Sequence, residues 1–237
     1  MKNRVIVIIS FIVAIIFAIT LFIGIMIFHN SNRIKTLLYE KYGEKFKIVH
    51  DSGNEYESGI LPTFKKTGYK NVIVSPENNK EIKFNVRLKT KPLEIANDGY
   101  IPAYIAYNTS QKIEKNYKIG NKMYVYTSAS EYKCDGKITD SFFDNINGQG
   151  SIVISIYVEG LDNKLNCREY LNKILKDLNF DNNTTGIIRV YSIKVNGVDK
   201  IKDYYKNSKD MASVESSNTN IRNKYFNTLN KDYYINF

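Results

Sequence analysis

The chain has 237 residues, of which 43% are hydrophobic and 24% are charged, and its formal net charge is +10. This balance is typical of folded proteins and excludes a fibrous chain or one that is disordered throughout. Only two cysteines and two histidines are present, which excludes a scaffold held by many disulfides and a zinc module with a full set of Cys and His ligands.

An apolar segment at residues 5–28 predicts a transmembrane helix. It contains 24 residues without a charge, and 18 of them are Ile, Val, Leu or Phe. A helix of that length measures about 36 Å, whereas the hydrocarbon core of a bilayer is about 30 Å thick, so the segment can span it with some tilt. Its β-branched residues would disfavour a helix in water, but in lipid every backbone group must be paired internally, which favours the helix.

The same segment could be a cleaved signal peptide, but its features favour an uncleaved anchor. The apolar core of a signal peptide has about 7–15 residues and ends at a small-x-small cleavage site, whereas this segment ends in Ile-Met-Ile-Phe-His-Asn. Lys2 and Arg4 precede it and Arg33, Lys35 and Lys41 follow it, so the positive-inside bias is small. The short tail still favours a cytoplasmic N-terminus, with the bulk of the chain outside.

Small and weakly polar residues share one face of the predicted span: Ser10, Ala14, Ala18, Thr20 and Gly24. Small residues four positions apart let two helices approach closely in a bilayer. Ser10, Ala14 and Ala18 are therefore a candidate helix-packing face for a homo-oligomer. Five positions fall on one half of a helical wheel often enough by chance that a lone anchor is the simpler interpretation.

After the span, residues 31–42 predict an amphipathic helix that Ser31 or Asn32 can cap and that ends at Gly43. Residues 45–50 then alternate in the manner of a strand. In that strand Phe46, Ile48 and His50 are expected to point to one face, since side chains two apart lie on the same side.

The remaining elements follow the same two periodicities. Further strands are predicted at 71–75, 82–88, 123–126, 151–158 and 186–195, and further helices from an N-cap at Asp98, over 166–178, over 199–207 and over 221–229. Helices beside clusters of strands, without strict alternation, predict an α+β fold of mainly antiparallel sheet with flanking helices.

The predicted organisation is a tail and anchor at residues 1–28, a first α+β unit at 29–120, a second at 121–210, and a linker with a C-terminal segment at 211–237. The two units could also form one continuous domain.

The stretch Leu-Leu-Tyr-Glu-Lys-Tyr-Gly-Glu-Lys-Phe-Lys-Ile-Val at residues 37–49 carries a resemblance. It is similar to a helix-to-strand opening in small exported, membrane-attached proteins of low-GC Gram-positive bacteria. The resemblance implies an extracytoplasmic location and implies no activity, cofactor or catalytic residue.

Catalytic signals are weak in this sequence. His50 and Asp51 are neighbours, but adjacent strand residues point to opposite faces and would not pair as an acid–base couple. Asp140 and Asp144 could offer oxygen ligands to Ca²⁺, yet no calcium-loop pattern surrounds them. The sequence has no Gly-x-Ser-x-Gly nucleophile turn. We therefore predict no catalytic residue, no metal and no cofactor, and lean against an enzyme.

Cys134 and Cys167 are candidates for one disulfide, because an extracytoplasmic domain folds where disulfides form. The alternative is two buried thiols, which fits the position of Cys167 on the apolar stripe of the helix at 166–178. Sequence separation alone does not fix the distance between the two residues.

The basic charge bears on partners. Lys2 and Arg4 account for two of the ten net charges, which leaves +8 on residues 29–237. A basic domain at a membrane is drawn to anionic lipid or wall polymer. No run of five or six basic residues is present, so the excess could equally be scattered over the surface, and nucleic acid is not the expected partner.

The sequence thus predicts a single-pass protein of the cell membrane, anchored through residues 5–28, whose extracytoplasmic domain is a non-enzymatic binding or interaction module of the envelope. Its partner would be an envelope protein or an anionic wall polymer. Two alternatives remain: an envelope enzyme acting on cell-wall polymer or peptide, and a basic component of a nucleic-acid transfer apparatus.

Overall fold

The fold was analysed in a computed structural model, which describes residues 2–57, 65–134, 146–147, 150–161, 167–180, 184–207 and 233–236. The elements are α1 (Lys2–Tyr42), β1 (Phe46–Tyr56), β2 (Lys66–Pro76), β3 (Phe84–Thr90), β4 (Leu93–Asp98), α2 (Tyr100–Asn116), β5 (Lys122–Ser130), β6 (Lys133–Cys134), β7 (Ile146–Asn147), β8 (Gly150–Glu159), α3 (Cys167–Leu178), β9 (Thr184–Ile193), α4 (Gly197–Asn207) and β10 (Tyr233–Asn236). The α+β class and the mainly antiparallel sheets predicted from the sequence are confirmed.

Helix α1 joins the apolar segment and the predicted amphipathic helix into one continuous element of 41 residues. Among the described residues, one helical stretch, Phe11–Tyr42, is long and apolar enough to cross a membrane, with a mean hydropathy of 3.1 over its most apolar part and none of that part buried. The sequence places a helix start at Ser31 or Asn32, but nothing there breaks the backbone, so no cap is needed.

The first compact unit comprises residues 1–98 together with residues 136–140, which lie outside the described ranges. Its sheet is a four-stranded antiparallel meander in the order β1-β2-β3-β4, and the last turns of α1 pack on β1 and β4. Strand β3 alternates strictly between buried and exposed residues, as expected of a sheet with one face on a core. The core of this unit contains Ile34, Leu38, Tyr42, Phe46, Val72, Val74, Ile82, Phe84, Val86 and Leu88.

The second compact unit comprises residues 99–135 and 141–237. Its main sheet has the order β10-β9-β8-β5, in which β8 and β9 are parallel and the other pairs are antiparallel. Helix α3 lies between the two parallel strands in the chain, as a crossover between parallel strands requires. Strand β8 lies inside the sheet, and Ile152, Ile154 and Ile156 are fully buried along it.

Helix α2 belongs to the second unit, although the sequence assigns it to the first. Its buried residues include Ile101, Ile105 and Ile113, and it packs chiefly on β5. At its C-terminal side, the Tyr117 hydroxyl donates to the Asp177 carboxylate of α3. The boundary between the units therefore lies between Asp98 and Gly99, rather than at residue 120.

Gly120 permits the turn from α2 into β5. Its φ is +64°, and a Cβ there would lie 2.4 Å from the Glu159 carbonyl oxygen. Any side chain would therefore be strained by both its backbone conformation and its contacts.

One strand of the first sheet has no counterpart among the sequence-based assignments. The sequence does not predict β4, which spans Leu93–Asp98. The predicted helix at 221–229 and the linker at 211–220 lie outside the described residues.

Candidate functional site

A shallow depression of about 310 Å³ lies in the first unit, where α1 meets the end of the sheet. It is lined by Asn30, Asp51, Gly53, Asn54, Lys70, Thr90 and Leu93. Most of these residues are polar, so the depression suits a hydrated polar group better than an apolar ligand.

Asp51 stabilises the backbone that forms this depression. Its carboxylate accepts the Gly53 backbone N–H at 2.9 Å and pairs with the Lys70 ammonium at 3.1 Å. The first contact closes a local turn of the kind that Asp side chains commonly form, beside an irregularity in the β1–β2 pairing. Asp51 is thus engaged in fixing the strand.

His50 lies on the opposite face of the sheet from Phe46 and Ile48, contrary to the sequence-based expectation. Ile48 pairs with Val74 and His50 pairs with Ile73, so one extra residue interrupts the alternation between them. Directly opposed residues share a face, and Val74 and Ile73 are on opposite faces. The β-bulge therefore turns His50 away from the core side.

The face of the first sheet that carries His50 also holds a polar network centred on Glu55. Arg87 donates to both carboxylate oxygens of Glu55, at 2.9 and 2.8 Å, and the Asn71 amide donates to the same group at 2.7 Å. The Arg87 guanidinium also lies 4.0 Å from the centre of the Tyr69 ring. The hydrogen bond from Arg87, with those from Asn71 and Thr67, holds the pKa of Glu55 below its usual value, against an opposing effect of burial.

Asp98 ties the end of β4 to helix α1. Its carboxylate accepts a hydrogen bond from the Tyr42 hydroxyl at 2.5 Å and pairs with the Lys41 ammonium at 2.7 Å, while its side chain is almost fully buried. The sequence predicts Asp98 as the N-cap of α2, which is wrong: the N-cap is Gly99, without a side-chain cap hydrogen bond.

In the second unit, aromatic rings cluster between the sheet and α4. Tyr124, Tyr157 and Tyr191 are adjacent across three strands, and the Tyr157 and Tyr205 hydroxyls are 2.8 Å apart. The Tyr126 and Tyr205 rings stack with centroids 4.0 Å apart. These rings pack with buried Val198 and Ile201 of α4. Their arrangement is that of a packed layer.

Cys167 begins helix α3, where its side chain is buried, and this burial raises the pKa of its thiol. Cys134 lies in β6, but its side chain lies outside the described part of the structure. The Cys134–Cys167 disulfide therefore stays a prediction.

The predicted helix-packing face lies on the exposed apolar part of α1. Ala14 and Ala18 are exposed, and the side chain of Ser10 lies outside the described part. The Thr20 hydroxyl donates to the Ile16 and Phe17 carbonyls within the helix, and a Cβ on Gly24 would meet nothing within 4 Å. Helix pairing through Ser10, Ala14 and Ala18 stays a prediction.

No three His, Cys, Asp or Glu side chains converge into a metal site among the described residues. Asp140 and Asp144 lie outside the described ranges. The carboxylates of Asp51, Glu55 and Asp98 accept hydrogen bonds from neighbouring side chains or backbone.

Sequence reasoning missed the partners of these carboxylates. Glu55 and Arg87 are 32 residues apart and Tyr42 and Asp98 are 56 apart. Alternation within β1 and β3 could have placed Glu55 and Arg87 each on a face, but the register that joins them depends on the bulges in β1.

No protein-family model and no curated protein matches the sequence. A crystal structure of a DUF5037 family protein from Ruminococcus gnavus ATCC 29149 is similar in fold, with a TM-score of 0.50 and 16% identity, over 87% of this chain and 89% of that one. At this identity the likeness concerns the fold alone.

Proposed function

We propose that this chain is a single-pass membrane protein with a cytoplasmic N-terminus, whose two α+β units act outside the cell membrane as a non-enzymatic binding module of the envelope. One observation carries the proposal: α1 presents bare apolar side chains and continues without interruption into turns that pack on a folded sheet. Phe11 is 68% exposed and Phe17 is 67% exposed.

An apolar surface of this kind is unfavourable in water and is expected to be covered by lipid or by protein. Large contiguous apolar patches are rare on soluble proteins and mark membrane or protein contacts. A bilayer covers all sides of a helix at once, and the apolar length of α1 suits its thickness. The resemblance at residues 37–49 to exported, membrane-attached proteins supports the same location.

The described surface favours binding over catalysis. The depression near Asn30 is small and polar. Asp51, which lines it, and Glu55 of the same sheet are engaged in ion pairs or turns. A general acid or base would need a carboxylate positioned to exchange a proton with substrate. These groups instead hold strands in register.

Protease treatment of spheroplasts tests this topology. The chain carries one epitope at each end, and protease is added outside. We expect loss of the C-terminal epitope and survival of the N-terminal one, with both lost after lysis. Survival of both epitopes in intact spheroplasts, or loss of the N-terminal one alone, would contradict the proposal.

A further inference from the structure

We infer that one end of the first sheet, defined by Tyr56, Lys66, Lys89 and Lys91 and here called the proximal surface, rests on the anionic phospholipid headgroups of the membrane. This inference rests on the proposed membrane anchor. It adds a lipid class and a set of residues that the anchor itself does not specify.

The direction of the strands relative to α1 determines which end of the sheet faces the predicted membrane. Tyr42 contacts Phe46 with ring centroids 6.0 Å apart, at the end of α1 remote from the span. At the other end, Asn30 lines one depression together with Asn54 of β1 and Leu93 of β4. Strand β1 therefore runs back along the helix, toward the predicted membrane.

The ends of two hairpins then lie level with the exit of the span. Asn30 is two residues past the last apolar residue of the segment, or about 3 Å along the helix axis. Tyr56 is two residues beyond Asn54, or about 7 Å farther along its strand. The polar headgroup layer on each side is about 5–7 Å thick, so this distance carries Tyr56 and its register partner Lys66 back through that layer to about its boundary with the hydrocarbon.

The β3–β4 turn reaches the same level. Thr90 and Leu93 line the depression with Asn30, and Lys91 lies between them in the chain. The Thr90 hydroxyl donates to the Gly68 carbonyl at 2.9 Å, which fixes this turn against β2. Lys91 is exposed.

Charge and chemistry at this end suit anionic lipid. The acidic residues Asp51, Glu55 and Glu57 each pair with a basic residue of the same sheet: Lys70, Arg87 and Lys65. In addition to the lysines in these pairs, this end carries three exposed lysines: Lys66, Lys89 and Lys91. Lys89 lies opposite Glu94 in the pairing of β3 with β4. Tyr56 is 51% exposed, and tyrosine is enriched where proteins meet the headgroup layer.

Lysine acylation of the full chain in lipid nanodiscs tests the inference. One set of discs is made of phosphatidylcholine, and the other replaces about a third of it with phosphatidylglycerol. An anionic surface attracts the positive charge of each nearby lysine with about 1 kcal/mol, which corresponds to about a fivefold change in an equilibrium or rate ratio. We expect acylation of Lys66 and Lys91 to slow about fivefold in the anionic discs, and high salt to restore it.

Lys80 and Lys83 provide an internal control, because both are exposed at the opposite end of the same sheet. Their acylation rates should be alike in the two lipids. Equal rates for Lys66 and Lys91 in both lipids, or equal slowing of all four lysines, would overturn the inference while leaving the anchor intact. A chain that elutes apart from the discs would overturn the anchor and, with it, this inference.

Matched charge variants give a second readout. In the wild-type chain, backbone hydrogen exchange at residues 65–70 should be slower in the anionic discs than in the phosphatidylcholine discs. The double variant Lys66→Glu with Lys91→Glu should abolish this difference. Lys80→Glu with Lys83→Glu should leave that slowing unchanged. Equal behaviour of the two variants would contradict the inference.

Discussion

At the scale of single residues, Asp98 and Glu55 show how carboxylates join distant parts of the first unit. The Asp98 carboxylate accepts hydrogen bonds from both Lys41 and Tyr42, so the end of β4 is held to the last turn of α1. The Glu55 carboxylate accepts hydrogen bonds from Arg87 and Asn71 on the exposed face of the sheet. Hydrogen bonds to charged groups are stronger than neutral ones, which suits residues that fix a register interrupted by bulges.

Glu55→Gln should make the first unit less sensitive to acid. The pKa of Glu55 is lower in the folded chain than its ordinary value of 4.5. Its ionised form therefore stabilises the fold fully above about pH 4.5, and that contribution is lost as pH falls through the folded pKa. We expect the variant to have a Tm a few degrees lower at pH 7 and a shallower loss of Tm toward pH 3.

The measurement is thermal unfolding of the detergent-solubilised chain, followed by circular dichroism across this pH range. Glu81→Gln serves as the control, because Glu81 is exposed at the far end of the sheet. Identical pH profiles for the two variants would contradict the assigned role of Glu55.

Cys167 gives a second prediction at this scale. Because it is buried and its pKa is raised, its thiolate is scarce and inaccessible at neutral pH. A maleimide should label it slowly in the native chain and rapidly in denaturant without reductant. Labelling in denaturant only after reduction would show that Cys167 is paired.

At the scale of elements, periodicity identified most helices and strands, whereas it gave only approximate ends. Helix α3 was predicted over 166–178 and spans Cys167–Leu178, because its apolar stripe is regular. Strand β4 was missed, since only Leu93 and Ile95 mark its apolar side. The register shifts of β1, and hence the face of His50, depend on pairing with β2 and leave no periodic signal.

The junction of α1 with the first sheet can be tested with two adjacent leucines. Leu38 is fully buried, whereas Leu37 is only partly buried. Leu38→Ala should lower the free energy of unfolding by about 2–5 kcal/mol, and Leu37→Ala by about 1 kcal/mol. Urea unfolding of both variants measures the difference. A larger loss for Leu37→Ala would contradict the packing of α1 described here.

At the scale of the whole molecule, the chain comprises two compact units and a long N-terminal helix. The fold class and the apolar helix could be predicted because they depend on composition and period. The boundary between the units could not, because it depends on which strand α2 packs against. The candidate site at the end of the first sheet depends on the direction of β1 along α1, which only tertiary contacts reveal.

The central claim is that residues 5–28 span a bilayer, and extraction of membranes at alkaline pH tests it most directly. The wild-type chain should stay in the membrane pellet. A variant with Ile16→Arg and Phe17→Arg, which adds about 6–8 kcal/mol to the cost of insertion, should appear in the supernatant or fail to accumulate. Release of the wild-type chain into the supernatant would contradict the account.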